Sequence, residues 1–366
     1  MNAVASGLST IVIPRLRWRA GSFSPRENAD GLNFLSLKET RLKFAVVGAG
    51  AIGAYVGAAL SRGGSDVAMV ARGEHLESMR ISGVQVYSDR GDFNAHPLMT
   101  GSITEIGPVD VVIVALKAHQ FDPILEDLPA LYHDETVVVS MQNGIPWWYF
   151  QRHGGPYDGL TLESVDPEGR IAKTIAPERV IGCVVYAATE IIAPGVIRHV
   201  EGTRFSLGEP DRSISTRLRN VSEAMVEGHL KAPIEGDLRG EIWLKLLGNM
   251  SFNPISAITR ATLVEMTDDS LVEPLVREMM EECVALATHL GVGFNVTIDK
   301  RIDGARRVGA HKTSMLQDLE LRKGFETEAL VGSVVELGER IGIPTPATRH
   351  VYALVKLLEH SIRAGR

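Results

Sequence analysis

Residues 43–57 read KFAVVGAGAIGAYVG, an apolar run that meets a glycine loop opening into a stretch of small residues. Phe44 to Val47 is short, apolar and partly β-branched, which suits a strand buried on both faces of a parallel sheet. Gly48, Gly50 and Gly53 follow as G-x-G-x-x-G. In a dinucleotide-binding βαβ unit the first glycine permits the tight turn and the second lets the backbone approach a diphosphate. The third lets the new helix pack closely on the strand. The spacing predicts that helix from Ala51 to about Arg62. Its first amides, those of Ala51 and Ile52, then lie near the diphosphate, where the helix dipole favours negative charge. The same glycines would also serve a purely structural turn. A strand before them and a helix after them are the context that the dinucleotide reading requires.

The end of the second strand should distinguish one nicotinamide dinucleotide from the other. That strand, Asp66 to Val70, runs into Ala71 and Arg72. An acid near this point accepts from the ribose 2′-hydroxyl of NAD, but here a guanidinium stands in its place. Fixed, charge-assisted donors suit the 2′-phosphate of NADP, so NADPH is the expected cofactor. Glu74, two residues on, weakens that preference, and a solvated surface arginine is the competing reading.

The length of 366 residues predicts two domains, since single cores rarely grow beyond about 250–300 residues. A composition of 45% hydrophobic and 23% charged residues is that of an ordinary soluble protein. A formal charge of −7 argues against nucleic acid as a main partner. The two cysteines, Cys183 and Cys283, lie in apolar patterns and offer neither a metal spacing nor a disulfide framework, so a reducing, cytoplasmic setting is expected. No run approaches the roughly 18 apolar residues that span a bilayer. Residues 1–41 stand apart: Arg15, Arg17, Arg19 and Arg26 occur before any acid, which fits a flexible extension or a transit peptide.

Asp110 to Leu116 is another buried strand, followed directly by Lys117. A helix-like stretch, Phe121 to Leu128, and a strand, Thr136 to Ser140, complete a further βαβ unit that ends in Gln142, Asn143 and Gly144. Ligands bind at the C-terminal ends of parallel strands, so Lys117 and Asn143 become candidates by position. An Asn-Gly pair is otherwise simply a turn. Residues 147–178 are rich in glycine, proline and charge and read as a surface excursion or lid, with Trp147 and Trp148 needing some anchor. Val180 to Ala187 is a strand. Gly195 to Val200 and Arg204 to Leu207 alternate as a half-solvated antiparallel pair does, and Ser213 to Glu227 reads as a helix. Beyond Gly236 only helical periodicity remains, over 238–249, 271–290, 325–341 and 348–362. The expected architecture is therefore α/β. A Rossmann-type dinucleotide-binding domain over 42–236 is followed by an all-α domain over 237–366. The apolar faces of the helical half would be covered equally well by a homodimer or by intramolecular burial.

Within that half, Lys245, Asn249 and Asn253 are spaced four apart and share one helix face, drifting only about 40° per step. Pro254 disfavours helix at the residue before it and places Asn253 at the helix end. Polar groups in an apolar stretch need partners when buried, and a substrate bearing carbonyl, carboxylate and hydroxyl groups would supply them. A stripe facing solvent is the plain alternative. A second polar group comprises Ser314, Gln317, Asp318 and Glu326, with Ser314 a helix-cap candidate. Glu328 competes with Glu326, and spacing does not choose between them.

Over about residues 43–360 the chain resembles the ketopantoate reductases. The glycine loop matches at Gly48, Gly50 and Gly53, LKA and QNG match at Lys117 and Asn143, and the signature W-x-K-L-x-x-N-x-x-x-N-P falls on Trp243, Lys245, Leu246, Asn249, Asn253 and Pro254. SMLQD matches Ser314 to Asp318, and the family's acid, twelve residues beyond that serine, falls on Glu326 rather than Glu328. The resemblance implies reduction of 2-dehydropantoate to pantoate with NADPH, a step toward pantothenate and coenzyme A. It makes Lys245 the general acid, best served by a pKa lowered through partial burial. Glu326 would orient it or hold a substrate hydroxyl, and Asn249, Asn253 and Ser314 would fix carboxylate and hydroxyl. Lys117 and Asn143 would hold cofactor and substrate across the cleft between domains. Val331 stands where many members carry asparagine, and residues 147–178 exceed the compact members, so another 2-oxo acid or an opine-type substrate is the alternative. A binding protein without turnover would need none of these polar residues.

Overall fold

The computed structural model describes residues 41–364. The expected N-terminal extension lies outside the described residues except for Arg41. In chain order come β1 (Lys43–Val47), α1 (Ala51–Arg62), β2 (Asp66–Val70), α2 (Gly73–Ser82), β3 (Val84–Tyr87), β4 (Phe93–Ala95), β5 (Leu98–Thr100), β6 (Val111–Val114) and β7 (Val137–Ser140). After α3 (Arg170–Thr174) follow β8 (Val180–Val185), β9 (Ala188–Ala193), β10 (Val196–Glu201), β11 (Phe205–Gly208) and α4 (Thr216–Glu227). The remainder is helical: α5 (Leu238–Thr259), α6 (Leu263–Asp268), α7 (Val272–His289), α8 (Ile298–Val308), α9 (Ser314–Glu320), α10 (Ser333–Ile341) and α11 (Pro346–Arg363).

Seven strands form one sheet in the order β11-β8-β7-β6-β1-β2-β5, parallel except for the β8–β11 pair. The chain builds outward from β1 through β2 to β5, then crosses to β6 on the other side. That reversal is the switch point at which doubly wound sheets bind nucleotides. β6, β7 and β8 are buried throughout, as their continuous apolar runs require. Val47 pairs with both Val70 and Val114, and Val114 with Ser140. Four strands therefore end level, and Gly48, Arg72, Lys117 and Asn143 all follow at one edge. A second sheet, β4-β3-β10-β9, covers the outer side of α1, where the Tyr55 ring stacks on His199 at 4.9 Å.

Four expectations need correction. Phe121 to Leu128 is not an α-helix but short 3-10 turns, because Pro123 and Pro129 remove donors that a longer helix would use. Residues 195–200 and 204–207 do not pair with each other: β10 lies between β9 and β3, while β11 joins the main sheet beside β8. Burial alternates along β10, whose antiparallel partner is β9, but β11 is buried throughout. Residues 147–178 form a surface excursion only in part, because their aromatic start is buried. Trp147, Trp148, Tyr149 and Phe150 are buried, the Trp148 indole donates to Ser140 Oγ, and the Trp243 indole on α5 donates to the Tyr149 hydroxyl at 2.7 Å. Arg239 donates to the carbonyls of Tyr149, Gln151 and Pro210, and the Glu336 carboxylate accepts from the amides of Glu163 and Ser164. The aromatic run 147–150 and Leu162, Val165, Ile171 and Ile175 belong to the core, while Arg152, Gly154, Pro156 and Asp158 between them stay exposed.

The fourth correction concerns α5, which continues through Pro254 to Thr259 instead of ending at Asn253. The proline leaves one carbonyl without its helical donor, yet buried Phe252, Ile255 and Ala257 on either side outweigh that loss. One apolar cluster contains Ala45 and Val112 of the sheet together with Trp243, Leu247, Met279 and Leu286 of the helices, so α5 is packed directly against the nucleotide-binding half. Among the described residues no helix is long and apolar enough to cross a membrane.

Candidate active site

The glycine loop has the geometry its three glycines predict. Gly48 has a φ of +97°, and a Cβ at Gly53 would collide with the Gly48 carbonyl oxygen. A Cβ at Gly50 would meet nothing within 4 Å, so the backbone there borders open space. No side chain caps α1. The amides of Ala51, Ile52 and Gly53 have no partner within their helix by the geometry of helix termini. Open space at Gly50 above uncapped amides fits a diphosphate. Arg72 is the exposed N-cap residue of α2, with no side-chain hydrogen bond or ion pair among the described residues.

Asn143 and Glu326 are brought together by a close backbone dock. Gly144 has a φ of +82° and lies so near Ala329 that a Cβ would strike its carbonyl, while the Ile145 amide donates to that same oxygen at 3.0 Å. Ala329 belongs to a π-helical turn, Glu328–Gly332, just beyond Glu326. Docking the two turns lets Asn143 Nδ2 donate to Glu326 Oε2 at 2.9 Å. Glu328 is engaged elsewhere, accepting from Lys356 Nζ at 2.6 Å and from the Tyr352 hydroxyl.

Lys245 rises from α5 into the same group. Its Nζ donates to Asn143 Oδ1 at 2.5 Å and to the Val185 carbonyl at the end of β8, and lies 5.9 Å from the centre of the Tyr186 ring. Burial of the ammonium pulls its pKa down from 10.5 to about 8, with the Glu326 charge opposing the fall. An ammonium has three donors, and among the described residues two are committed. The third is available to an incoming oxygen.

One helical turn along α5, Asn249 and Asn253 line a cleft of about 400 Å³ with Ser314, Arg301, His311 and Glu201. Asn253 Nδ2 donates to Ser314 Oγ at 3.3 Å. Thr313, not Ser314, caps α9, accepting from the Leu316 amide, which leaves the serine hydroxyl turned to the cleft residues. Lys117 is held by Asp318 Oδ2 at 2.5 Å and by the Gly324 carbonyl, a link from the sheet edge to the helical half. Val185, Tyr186 and Arg301 escaped the reading of the sequence. A backbone carbonyl leaves no trace in the sequence. Arg301, in DKRIDGARRV, cannot be told by spacing from the exposed Arg306 and Arg307.

A glycine-loop βαβ unit at the switch point of a parallel sheet, with an asparagine at the sheet edge joining a lysine and a glutamate from a helical half, defines a two-domain nicotinamide-dinucleotide oxidoreductase. Family models agree in detail: that described as "Ketopantoate reductase PanE/ApbA" matches residues 44–212, and that described as "Ketopantoate reductase PanE/ApbA C terminal" matches 237–359. The chain is 49% identical to a 2-dehydropantoate 2-reductase of Mesorhizobium japonicum, over 87% of this chain and 98% of that one. A Ralstonia solanacearum crystal structure assigned as a ketopantoate reductase superposes with a TM-score of 0.84 at 36% identity, covering 88% of this chain and 99% of the other. D-mandelate dehydrogenase, solved with NADH and anilino(oxo)acetate, shares the fold alone, with a TM-score of 0.75 at 20% identity over 88% of this chain and all of that one. The chain belongs to the ketopantoate reductase family, whose members use NADPH.

Proposed function

We propose that the protein reduces 2-dehydropantoate to pantoate, preferring NADPH to NADH, with Lys245 as the general acid. The observation that carries this reading is the Lys245 ammonium itself: half-buried, shifted to about 8, and holding one donor in reserve at the ligand edge of the sheet. NADPH, when bound, supplies the hydride. Gly50 and the amides of Ala51 and Ile52 would hold its diphosphate, and Arg72 its 2′-phosphate. Lys245 donates to the substrate's carbonyl oxygen, stabilises the negative charge that develops there, and transfers the proton that completes the hydroxyl. Asn143 fixes the direction of that ammonium and passes on the charge of Glu326. Asn249, Asn253 and Ser314 hold the polar groups of the substrate.

Lys117 has two of its donors committed to Asp318 and Gly324. In this reading it keeps the two halves in register and offers its remaining donor to the cofactor. We place the boundary between the halves at Gly236, just before α5. A cytoplasmic location is supported by two buried, unpaired cysteines, and a homodimer by exposed Leu354 and Leu357 on α11.

The test is a panel of 2-oxo acids, each assayed with NADPH and NADH. The highest kcat/KM is expected for 2-dehydropantoate with NADPH. A higher value for another oxo acid would replace the substrate, and cofactor binding without turnover on any of them would remove the enzymatic reading.

A further inference from the structure

Arginines in the helical half satisfy their charge in recognisable ways. Arg277 pairs with Glu273 and Asp299, Arg306 with Asp268 and Asp303, and Arg340 with Glu336. Buried Arg239 donates to three carbonyls. Arg260, Arg307 and Arg322 are exposed to water. Arg301 on α8 does none of these. It is half-buried, its Nε is buried without an acceptor, and among the described residues no carboxylate lies within ion-pairing distance. Burial lowers its pKa, opposed only by the Tyr186 hydroxyl. A guanidinium kept partly from water without a counter-charge is costly unless a ligand completes it.

Its place on α5 is specific. The guanidinium lies against Gly248, where a Cβ would stand 3.0 Å from both Cζ and Nε and closer still to one terminal nitrogen. Any other residue at 248 would displace it. Gly248 follows Lys245 by three positions, so the arginine is seated on the same helix face, about 4.5 Å farther along the axis. Of the residues lining the cleft, Arg301 alone carries a permanent positive charge, and Asn249 adjoins its glycine seat. A 2-oxo acid carries its carboxylate on the carbon bonded directly to the carbonyl. Lys245 and the Gly248 seat of Arg301 follow one another along α5 in the order in which the carbonyl oxygen and the carboxylate follow one another in the substrate.

We propose that Arg301 binds the substrate's carboxylate: its guanidinium, seated on Gly248, pairs with the two carboxylate oxygens while Lys245 engages the neighbouring carbonyl oxygen. The planar fork of an arginine suits bidentate pairing of this kind. Asn249, Asn253 and Ser314 are then left to the substrate's more distant hydroxyl, and the cleft selects 2-oxo acids over uncharged ketones. Glu201, exposed at the same cleft, is not paired with Arg301 and repels acids that enter in the wrong orientation. The proposal rests on the oxo-acid reductase reading above.

The experiment is steady-state kinetics of the full chain with NADPH, using 2-dehydropantoate and its carboxamide analogue as substrates, on wild type, Arg301→Ala and Arg301→Lys. NADPH binding is followed by fluorescence and folding by thermal melts. Arg301→Ala should raise KM for the acid by about 30-fold or more and change kcat much less. It should leave NADPH binding intact and lose the preference for acid over amide, with added guanidinium ion restoring part of the acid's KM. Arg301→Lys should keep the preference at a weaker KM, and answers the same question if the alanine variant does not fold. An Arg301→Ala protein with KM within about threefold of wild type, or with equal losses for acid and amide, overturns the assignment of Arg301 alone. A wild-type protein inert toward every 2-oxo acid overturns the reductase reading and this proposal with it.

Discussion

Lys245 must be charged to give a proton, yet it sits where charge is costly, and a pKa near 8 is the compromise between these demands. Lys245→Ala should lower kcat by at least about a hundredfold while NADPH affinity stays close to wild type, measured by turnover and fluorescence titration. The pH dependence has a definite sign. Below about pH 8 the ammonium is present and reduction proceeds, and above it kcat/KM should fall as the proton is lost. The Glu326 charge raises the lysine's pKa, so Glu326→Gln should shift the alkaline limb to lower pH, apart from any change in the plateau. An unmoved limb would exclude electrostatic support from Glu326. Arg72→Ala should raise KM for NADPH by about tenfold or more and leave KM for NADH nearly unchanged, because the 2′-phosphate is the group it would meet.

At the scale of elements, the site depends on two turns from distant parts of the chain being docked backbone to backbone. The glycine in QNG reads as an ordinary turn residue, but Gly144 is also where the π-helical turn at Ala329 makes its closest approach. Gly144→Ala meets both a positive φ and a steric collision. It should cost more than about 1 kcal/mol in denaturant unfolding. It should also reduce kcat by separating Asn143 from Glu326. Stability lost with kcat retained would show that the dock supports the fold and not the site. The helix signature on α5 was legible for the converse reason. Lys245, Asn249 and Asn253 share a face by periodicity alone, whereas the passage of that helix through Pro254 depended on apolar residues packed around it.

Across the whole molecule, the two halves share one apolar core and are strapped by the Lys117–Asp318 pair. A partly exposed pair of this kind contributes at most about 1 kcal/mol. Asp318→Asn should therefore shift the melting temperature only slightly, and a large shift would mean that the strap bears on folding itself. Cys183 and Cys283 are free and buried, and burial pushes the Cys183 thiol up to about 12 and the Cys283 thiol up as well. Both should resist a thiol reagent in the native protein and react once it is denatured, so their reaction rate under native conditions measures opening of the core. The nucleotide half was readable from residues 43–57 because strand burial, glycine conformation and helix-terminus chemistry are local and leave a fixed spacing. The four level strand ends that present Arg72, Lys117 and Asn143 follow from that same parallel order. The family motif chose Glu326 over Glu328 where spacing did not, but tertiary structure alone decided that this carboxylate meets Asn143, that the aromatic run 147–150 is core, that β10 pairs with β9 and β3, and that Arg301 rests on Gly248. Each of these is a contact between segments distant in the chain, chosen by packing and by the pairing of buried polar groups, and such contacts have no period along the sequence.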